Sequence, residues 1–319
     1  MNRRDAIATM MVVAAVGQTS AVRATEAVTT ADKARRLGAP MLPSDKLRAL
    51  LSAISTLDSR DTALLFMTGT CYAGFAGDHL PAPLFGVSML VAGHVFTAEG
   101  RYRQTSNQLV LFTDLDSGRV IDTWHNPYID ETVHVFHGHN GPQDIEFDLA
   151  KLDLAVNDRS GGRVQANLDI DWVRTGPLAR TEISVRSKRK NPLDPVKWSR
   201  EYSGDTLDVT EWSEWVIPSN SLDRVASKAS IPCVGSTQRF ANWYPWMLMG
   251  QRSGYLFTRL TGQKLGRAEE LPSEFLQYAS AHYPEYLQAP PTWTGRFVDV
   301  MSVFMAERSP VDSAPRDSQ

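Results

Sequence analysis

Val164-Gln-Ala-Asn-Leu-Asp-Ile-Asp-Trp172 alternates apolar and polar residues over nine positions. Successive side chains of a strand point to opposite faces, so this is the pattern of a half-buried β-strand. Thr181–Arg186 repeats it, with Ile183 and Val185 on one face and Glu182, Ser184 and Arg186 on the other. Working outward, β-rich runs recur at Ala63–Phe75, Leu84–Ala92, Gln108–Asp114, Arg119–Trp124, Thr132–His137, Leu207–Ile217 and Gly254–Thr261. Asp116–Gly118, Ser160–Gly162 and Ser203–Asp205 supply turn chemistry between them. Runs this closely spaced, with no helical periodicity between them, predict antiparallel pairing. The expected fold class is therefore mainly β (α+β): a large antiparallel sheet or barrel. Closure would give a lipocalin-like form and remove the exposed edges that make open sheets aggregate.

Helices flank this region. Over Pro43–Leu57, Leu47, Leu50, Leu51, Ile54 and Leu57 fall on one helical face, with Ser44 placed to cap the start. Pro272 opens a second amphipathic stretch, Ser273–Tyr283, which Pro284 stops. The expected organisation is a leader over 1–24, a linker over 25–42, one β-rich domain over 43–305, and a disordered polar tail over 306–319.

Hydrophobic residues make up 42% of the 319 and charged residues 22%, with 21 Gly and 18 Pro. That balance excludes collagen-like and low-complexity chains. A formal net charge of −3 argues against a nucleic-acid partner, whose binding draws on many lysines and arginines.

Met1–Ala24 carries Arg3-Arg4, an apolar run from Ala6 to Gly17, and small residues at Val22-Arg23-Ala24. This is the layout of a secretory signal of the twin-arginine type. The apolar run is shorter than the roughly 20 residues a bilayer requires. The expected location is periplasmic or secreted, with no stable membrane insertion after cleavage and the twin-arginine export machinery as a partner. Two cysteines, Cys71 and Cys233, form no zinc or CxxC motif. An oxidising compartment would allow them to pair, and two separate buried thiols remain the alternative.

Four of the seven histidines lie between His125 and His139. His137 is the acid–base candidate, because the ordinary imidazole pKa suits proton transfer near neutrality. His137 and His139 form an HxH pair, a metal-ligand spacing that would need a third ligand such as His125 or a carboxylate. In Val209–Ile217, strand parity puts Trp212 and Glu214 on one face and Glu211, Trp215 and Ile217 on the other. A carboxylate beside an indole inside a closed sheet would have its pKa raised by desolvation. Asn167, Asp169 and Asp171 share a face, as a solvated cross-strand surface or the polar lining of a cavity. Trp243-Tyr-Pro-Trp-Met-Leu-Met249 is the densest aromatic and methionine stretch. It can wall a pocket for a flat hydrophobic ligand or serve as core. There is no GxGxxG, GxxxxGK[ST], HExxH or GxSxG, so nicotinamide, nucleotide and common esterase chemistry lose their usual support, and no cofactor is called for.

The order of several segments resembles the family called domain of unknown function 1838. The segments are Pro83–Gly86, Phe112–Asp114, Gly118 with Asp122–Trp124, and Asn126-Pro127. They continue with His137, Asn140 and Pro142, then Glu211-Trp212, Pro245–Gly250, Gly254–Phe257, Gly262–Leu265, Leu271-Pro272, Tyr283-Pro284 and Tyr286-Leu287. Together they cover about Leu47 to Trp293. The chain departs from the pattern at Gly295–Met301, where relatives are expected to carry a polar–aromatic segment. The family name carries no reaction, so no catalytic residue comes with it.

The expected catalytic set is His137, Glu211 and Glu214. The expected substrate-binding set is Trp124, Asn126, Asn140, Trp212, Trp243, Trp246 and Met247. The first functional expectation is a cofactor-free enzyme that moves protons on a hydrophobic or aromatic small molecule, as an isomerase, lyase or cyclase does. The alternatives are a periplasmic carrier with the same cavity and no catalysis, and a metal-dependent enzyme using His137 and His139.

Overall fold

A computed structural model of the chain describes residues 41–148, 152–157 and 163–311. The stretch expected to be a leader, most of the expected linker, and the segment after Val311 lie outside these residues. No helix among the described residues is long and apolar enough to cross a membrane.

Alternate residues of the first strand serve two different cores. In β1 (Ala63–Gly74), Leu65, Met67 and Cys71 face one cluster, and Leu64 and Phe66 face another. β2 (Ala82–Ala98) does the same, with Phe85, Val87 and Met89 on the first side and Leu90 and Ala92 on the second. β3 (Arg101–Thr113) divides Phe112 from Leu109 and Leu111. Both faces are covered where the two clusters flank these strands, so Ala63–Met67 of β1, Met89–Ala92 of β2 and Leu109–Phe112 of β3 read as continuous apolar runs. β10 (Leu178–Lys190) and β11 (Thr206–Pro218) are covered on one face only, and there burial alternates cleanly.

Eleven strands form one sheet, in the order β8-β7-β6-β3-β2-β1-β13-β12-β11-β10-β9. The remaining members are β6 (Gly138–Asp148), β7 (Asp153–Asn157), β8 (Arg163–Asn167), β9 (Val173–Thr175), β12 (Val234–Ala241) and β13 (Tyr255–Leu265). Every pairing is antiparallel. Among the described residues β8 and β9 do not pair, so the sheet is large and curved but open, and the closed lipocalin-like barrel is not formed. Helix α1 (Pro43–Ile54) fills the inner side instead, with Leu47, Leu50 and Leu51 fully buried. Arg48 donates to Tyr102 Oη at 2.9 Å and to the Val225 carbonyl at 2.8 Å, tying the helix to two distant parts of the chain. α2 (Ser273–His282) covers the opposite face through Phe275, whose ring meets Phe66 edge-on at 5.0 Å.

Several expectations are corrected by this arrangement. The Val164–Trp172 strand ends at Asn167. Leu168, Ile170 and Trp172 keep the alternating burial without the ladder, because Trp172 Nε1 donates to the Lys46 carbonyl and Asp171 pairs with Lys46. Arg119–Trp124 does not add a strand to the large sheet, which it meets in an isolated bridge from Val120 to Thr113. Its end becomes β4 (Thr123–Asn126), paired with β5 (Glu131–His134) as a separate two-stranded sheet. Ser44 lies inside the first turn of α1, whose N-cap is Leu42 with no side-chain cap. A third helix, α3 (Val300–Glu307), continues into the expected tail, and the Val311 N–H donates to Glu201 Oε1 at 2.7 Å. The described part of that tail is thus docked.

Both cysteines are free and buried. Cys71 lies opposite Thr258 on β13, whereas the Cys233 carbonyl accepts the N–H of Lys264, six residues further along. At about 3.3 Å per residue the two sites stand roughly 20 Å apart, well beyond disulfide reach.

Candidate functional site

The chain from Trp243 to Trp246 crosses the inner face of the sheet and walls a cavity. A short 3-10 turn at Pro245–Met247 presents the side chains, and Leu248 ends it in the left-handed region at φ 56°. Trp243 Nε1 donates to the Arg252 carbonyl at 2.8 Å, which fixes the indole. Gly254, at φ +144°, lets that indole lie directly on the backbone, where any Cβ would collide with it. The Tyr244 and Trp246 rings are stacked within 15° of parallel, and Phe112 packs against both at 5.4 and 5.2 Å.

The cavity holds about 1030 Å³ of atom-free space, its mouth included. Trp243, Tyr244 and Trp246 form one wall, and Phe136 and Phe304 stand among its apolar lining with Val300 and Met301 of α3. Asp299 places that helix, accepting the N–H groups of Met301 and Ser302 at 2.9 and 3.1 Å. The Gly295–Met301 segment leads into this helix and supplies Val300 and Met301 to the lining. Gln108, Asn140, Arg189, Arg239, Asn242 and Thr258 add polar groups to the lining. Asn242 is held at the rim, accepting from Asp208 N at 2.6 Å and donating to the Thr206 carbonyl at 3.2 Å.

Glu211 and Arg239 are neighbours in the β11–β12 register. Arg239 lines the cavity with its side chain 11% exposed, and Glu211 lies behind it at 2%. Arg239 Nε stands 3.8 Å from Glu211 Oε2, too far for a hydrogen bond. Oε1 accepts from Ser213 Oγ at 3.3 Å, while Oε2 makes no hydrogen bond. Desolvation raises the Glu211 pKa to about 7, against the opposing pull of Arg239 and Ser213. Burial likewise pushes the Tyr244 phenol up to about 12, with Arg239 and Thr258 beside it.

His137 lies outside this cavity. The chain bends over Val135–His137 between β5 and β6, and the imidazole stacks on the far side of Phe112, with centroids 6.1 Å apart. Its Nδ1 accepts the Phe112 N–H at 3.3 Å, and Nε2, 3.7 Å from Asp122 Oδ1, has no hydrogen bond. Asp122 instead accepts a 2.5 Å hydrogen bond from Tyr278. Desolvation lowers the His137 pKa to about 4, outweighing the attraction of Asp122. The ring is therefore neutral near pH 7 and separated from the tryptophan wall by one phenyl ring. His139 shares the Tyr283 ring with His137, and its Nε2 meets Glu307 Oε1 at 2.9 Å. Among the described residues no three His, Cys, Asp or Glu side chains come together in a metal-holding group.

Of the remaining expected residues, Asn140, Trp243 and Trp246 line the cavity. Trp124 backs it, its ring 6.0 Å from Trp246. Asn126 is fully buried and spends its amide on the Met247 carbonyl at 2.7 Å, so it holds the turn rather than a ligand. Met247 is fully buried in the core behind the wall. Glu214 and Trp212 point to the outer face, as strand parity dictates. Glu214 pairs there with Arg180 at 3.0 Å, and Trp212 joins a row of rings through Phe240 and Phe257 to Tyr72. These two do not belong to the site. Arg239, Thr258 and Phe304 were not singled out by the sequence, and Tyr244 entered only as a member of the Trp243–Met249 stretch. The available signal for Arg239 was parity, since it shares a face with Thr237 and Ala241.

The curved antiparallel sheet thus holds an inward-facing cavity, with an arginine in its lining, a buried carboxylate behind that arginine, and aromatic walls. The family model described as protein of unknown function, DUF1838, matches residues 61–305, and the chain belongs to that family. No curated protein matches the chain.

Proposed function

We propose that this protein is an enzyme that moves protons on a hydrophobic or aromatic small molecule without a redox cofactor. The observation that carries the reading is the meeting of Tyr244 and Arg239, with the Glu211 carboxylate behind the arginine, in a cavity whose lining is mostly apolar and aromatic. Aromatic walls bind the body of the ligand by burial, and a water-poor site strengthens each polar contact made inside it. Arg239 attracts negative charge that develops on a ligand oxygen. Tyr244 touches the ligand and gives its proton to one atom. The resulting phenolate, beside Arg239 and Thr258, then takes a proton back from a second atom. The net change is an isomerisation that needs no co-reactant. Glu211 acts through Arg239, as a positioning residue whose own charge changes near neutrality.

The predominance of aliphatic and aromatic lining also supports the carrier reading, and one experiment separates the two. A panel of small aromatic and terpenoid carbonyl compounds is incubated with the protein in D2O and read by mass spectrometry. Deuterium on carbon with the wild type, lost in Tyr244→Phe while the compound still binds, supports catalysis. Binding without label in any compound replaces the enzyme reading with the carrier. Export by the twin-arginine route forms part of the same proposal and is tested by processing of the leader in cells.

A further inference from the structure

Two arginines, Arg189 and Arg239, stand in the cavity lining. Arg189 Nη1 has Asp299 Oδ2 at 3.9 Å, both side chains being at least nine-tenths buried. Arg239 has Glu211, but at 3.8 Å through Nε, short of hydrogen-bond contact. Its other neighbours here, Tyr244 and Thr258, are neutral and cannot balance a guanidinium. Removing such a group from water without a matched anion is costly, and a planar fork of N–H donors suits a carboxylate. Most of the surrounding lining is apolar, so one anionic head and a hydrophobic body is the chemistry it accepts.

We infer that the ligand is a hydrophobic monocarboxylate, its carboxylate bound by Arg239 and its apolar body laid against Trp243 and Trp246. The inference rests on the small-molecule reading of this same cavity and names the substrate class. It also fixes a consequence for protons. Carboxylate and Glu211 compete for one guanidinium, so binding favours the protonated Glu211 and takes up a proton near neutral pH. The titratable groups beside Arg239 are Tyr244 from the wall and Cys71 from β1, both pushed up to about 12 by burial, so neither ionises between pH 6 and 8.

The test uses 1-naphthoate and the uncharged 1-naphthamide, titrated against the fluorescence of the cavity tryptophans at pH 6 and pH 8.5. The expected result is at least a ten-fold tighter Kd for naphthoate at pH 6, equivalent to about 1.4 kcal/mol, shrinking at pH 8.5. Glu211→Gln keeps the preference and loses its pH dependence. Arg239→Gln abolishes the preference. If that variant does not fold because Glu211 is stranded, the Arg239→Gln/Glu211→Gln double variant carries the test. Equal binding of the two probes at pH 6, or a preference that survives in the folded arginine variant, overturns the inference and leaves the cavity reading standing. Failure of both probes to bind at millimolar concentration overturns the cavity reading itself.

Discussion

Replacing Glu211 by glutamine should stabilise the protein at high pH and leave it nearly unchanged at low pH. The folded carboxyl has its pKa raised from 4.5 to about 7. Between those values the folded chain retains a proton that the unfolded chain has lost. Stability is therefore present below pH 4.5 and is lost as pH rises through 7. A shift of this size corresponds to about 3 kcal/mol. The amide keeps the shape and carries no charge to desolvate, so the variant escapes that loss. His137 acts in the opposite direction. Its imidazole pKa is lowered from 6.5 to about 4, so its stability contribution is lost as pH falls from 6.5 through 4. The wild-type profile sums both effects, but the difference between wild type and Glu211→Gln cancels the histidine. Urea unfolding at several pH values from 4.5 to 8.5 measures that difference. The gain should grow from near zero to about 3 kcal/mol. A flat difference, or a variant that becomes relatively less stable as pH rises, would show that Arg239 holds the carboxylate ionised in a tight pair and would refute the reasoning.

Three other perturbations are informative. His137→Phe retains the stack on Phe112 but removes the buried imidazole and the acceptor of the Phe112 N–H, so the variant-minus-wild-type stability should rise by about 3 kcal/mol as pH falls from 7 to 4, read by thermal or urea unfolding against pH. Gly254→Ala puts a methyl where the Trp243 indole lies, at a φ that disfavours any side chain. It should cost about 1–3 kcal/mol and shift tryptophan emission to the red. Cys71 and Cys233 are buried thiols pushed up to about 12, so a thiol reagent such as Ellman's should modify neither in the native state and both after denaturation. Rapid native labelling, or an intact mass showing a bridge, would contradict their placement.

Strand periodicity was legible wherever one face of the sheet meets water. Glu211, Ser213, Trp215 and Ile217 face inward with Trp212 and Glu214 outward, as parity requires. Periodicity misled at Leu168–Trp172, where alternating burial arises from packing around Lys46 rather than from a ladder. β12 escaped notice because Gly235, Thr237 and Arg239 at its inward positions do not read as apolar. Gly235 is required there by the Trp215 indole, which occupies the space a Cβ would fill. Closure into a barrel could not be read, since edge pairing depends on contacts between strands far apart in the chain. The tryptophan wall was visible as composition, whereas the Arg239 anchor needed the β11–β12 register to place it beside Glu211. His137 had suitable chemistry, but the bend over Val135–His137 put it behind Phe112.

The most direct measurement is a crystal structure of the protein saturated with 1-naphthoate. The expected density is a flat molecule against Trp243 and Trp246, with its carboxylate about 3 Å from the Arg239 guanidinium. Naphthoate seated on the outer ring row of Tyr72, Phe257 and Phe240, with only water between Trp246 and Phe304, would contradict a ligand-binding role for the cavity.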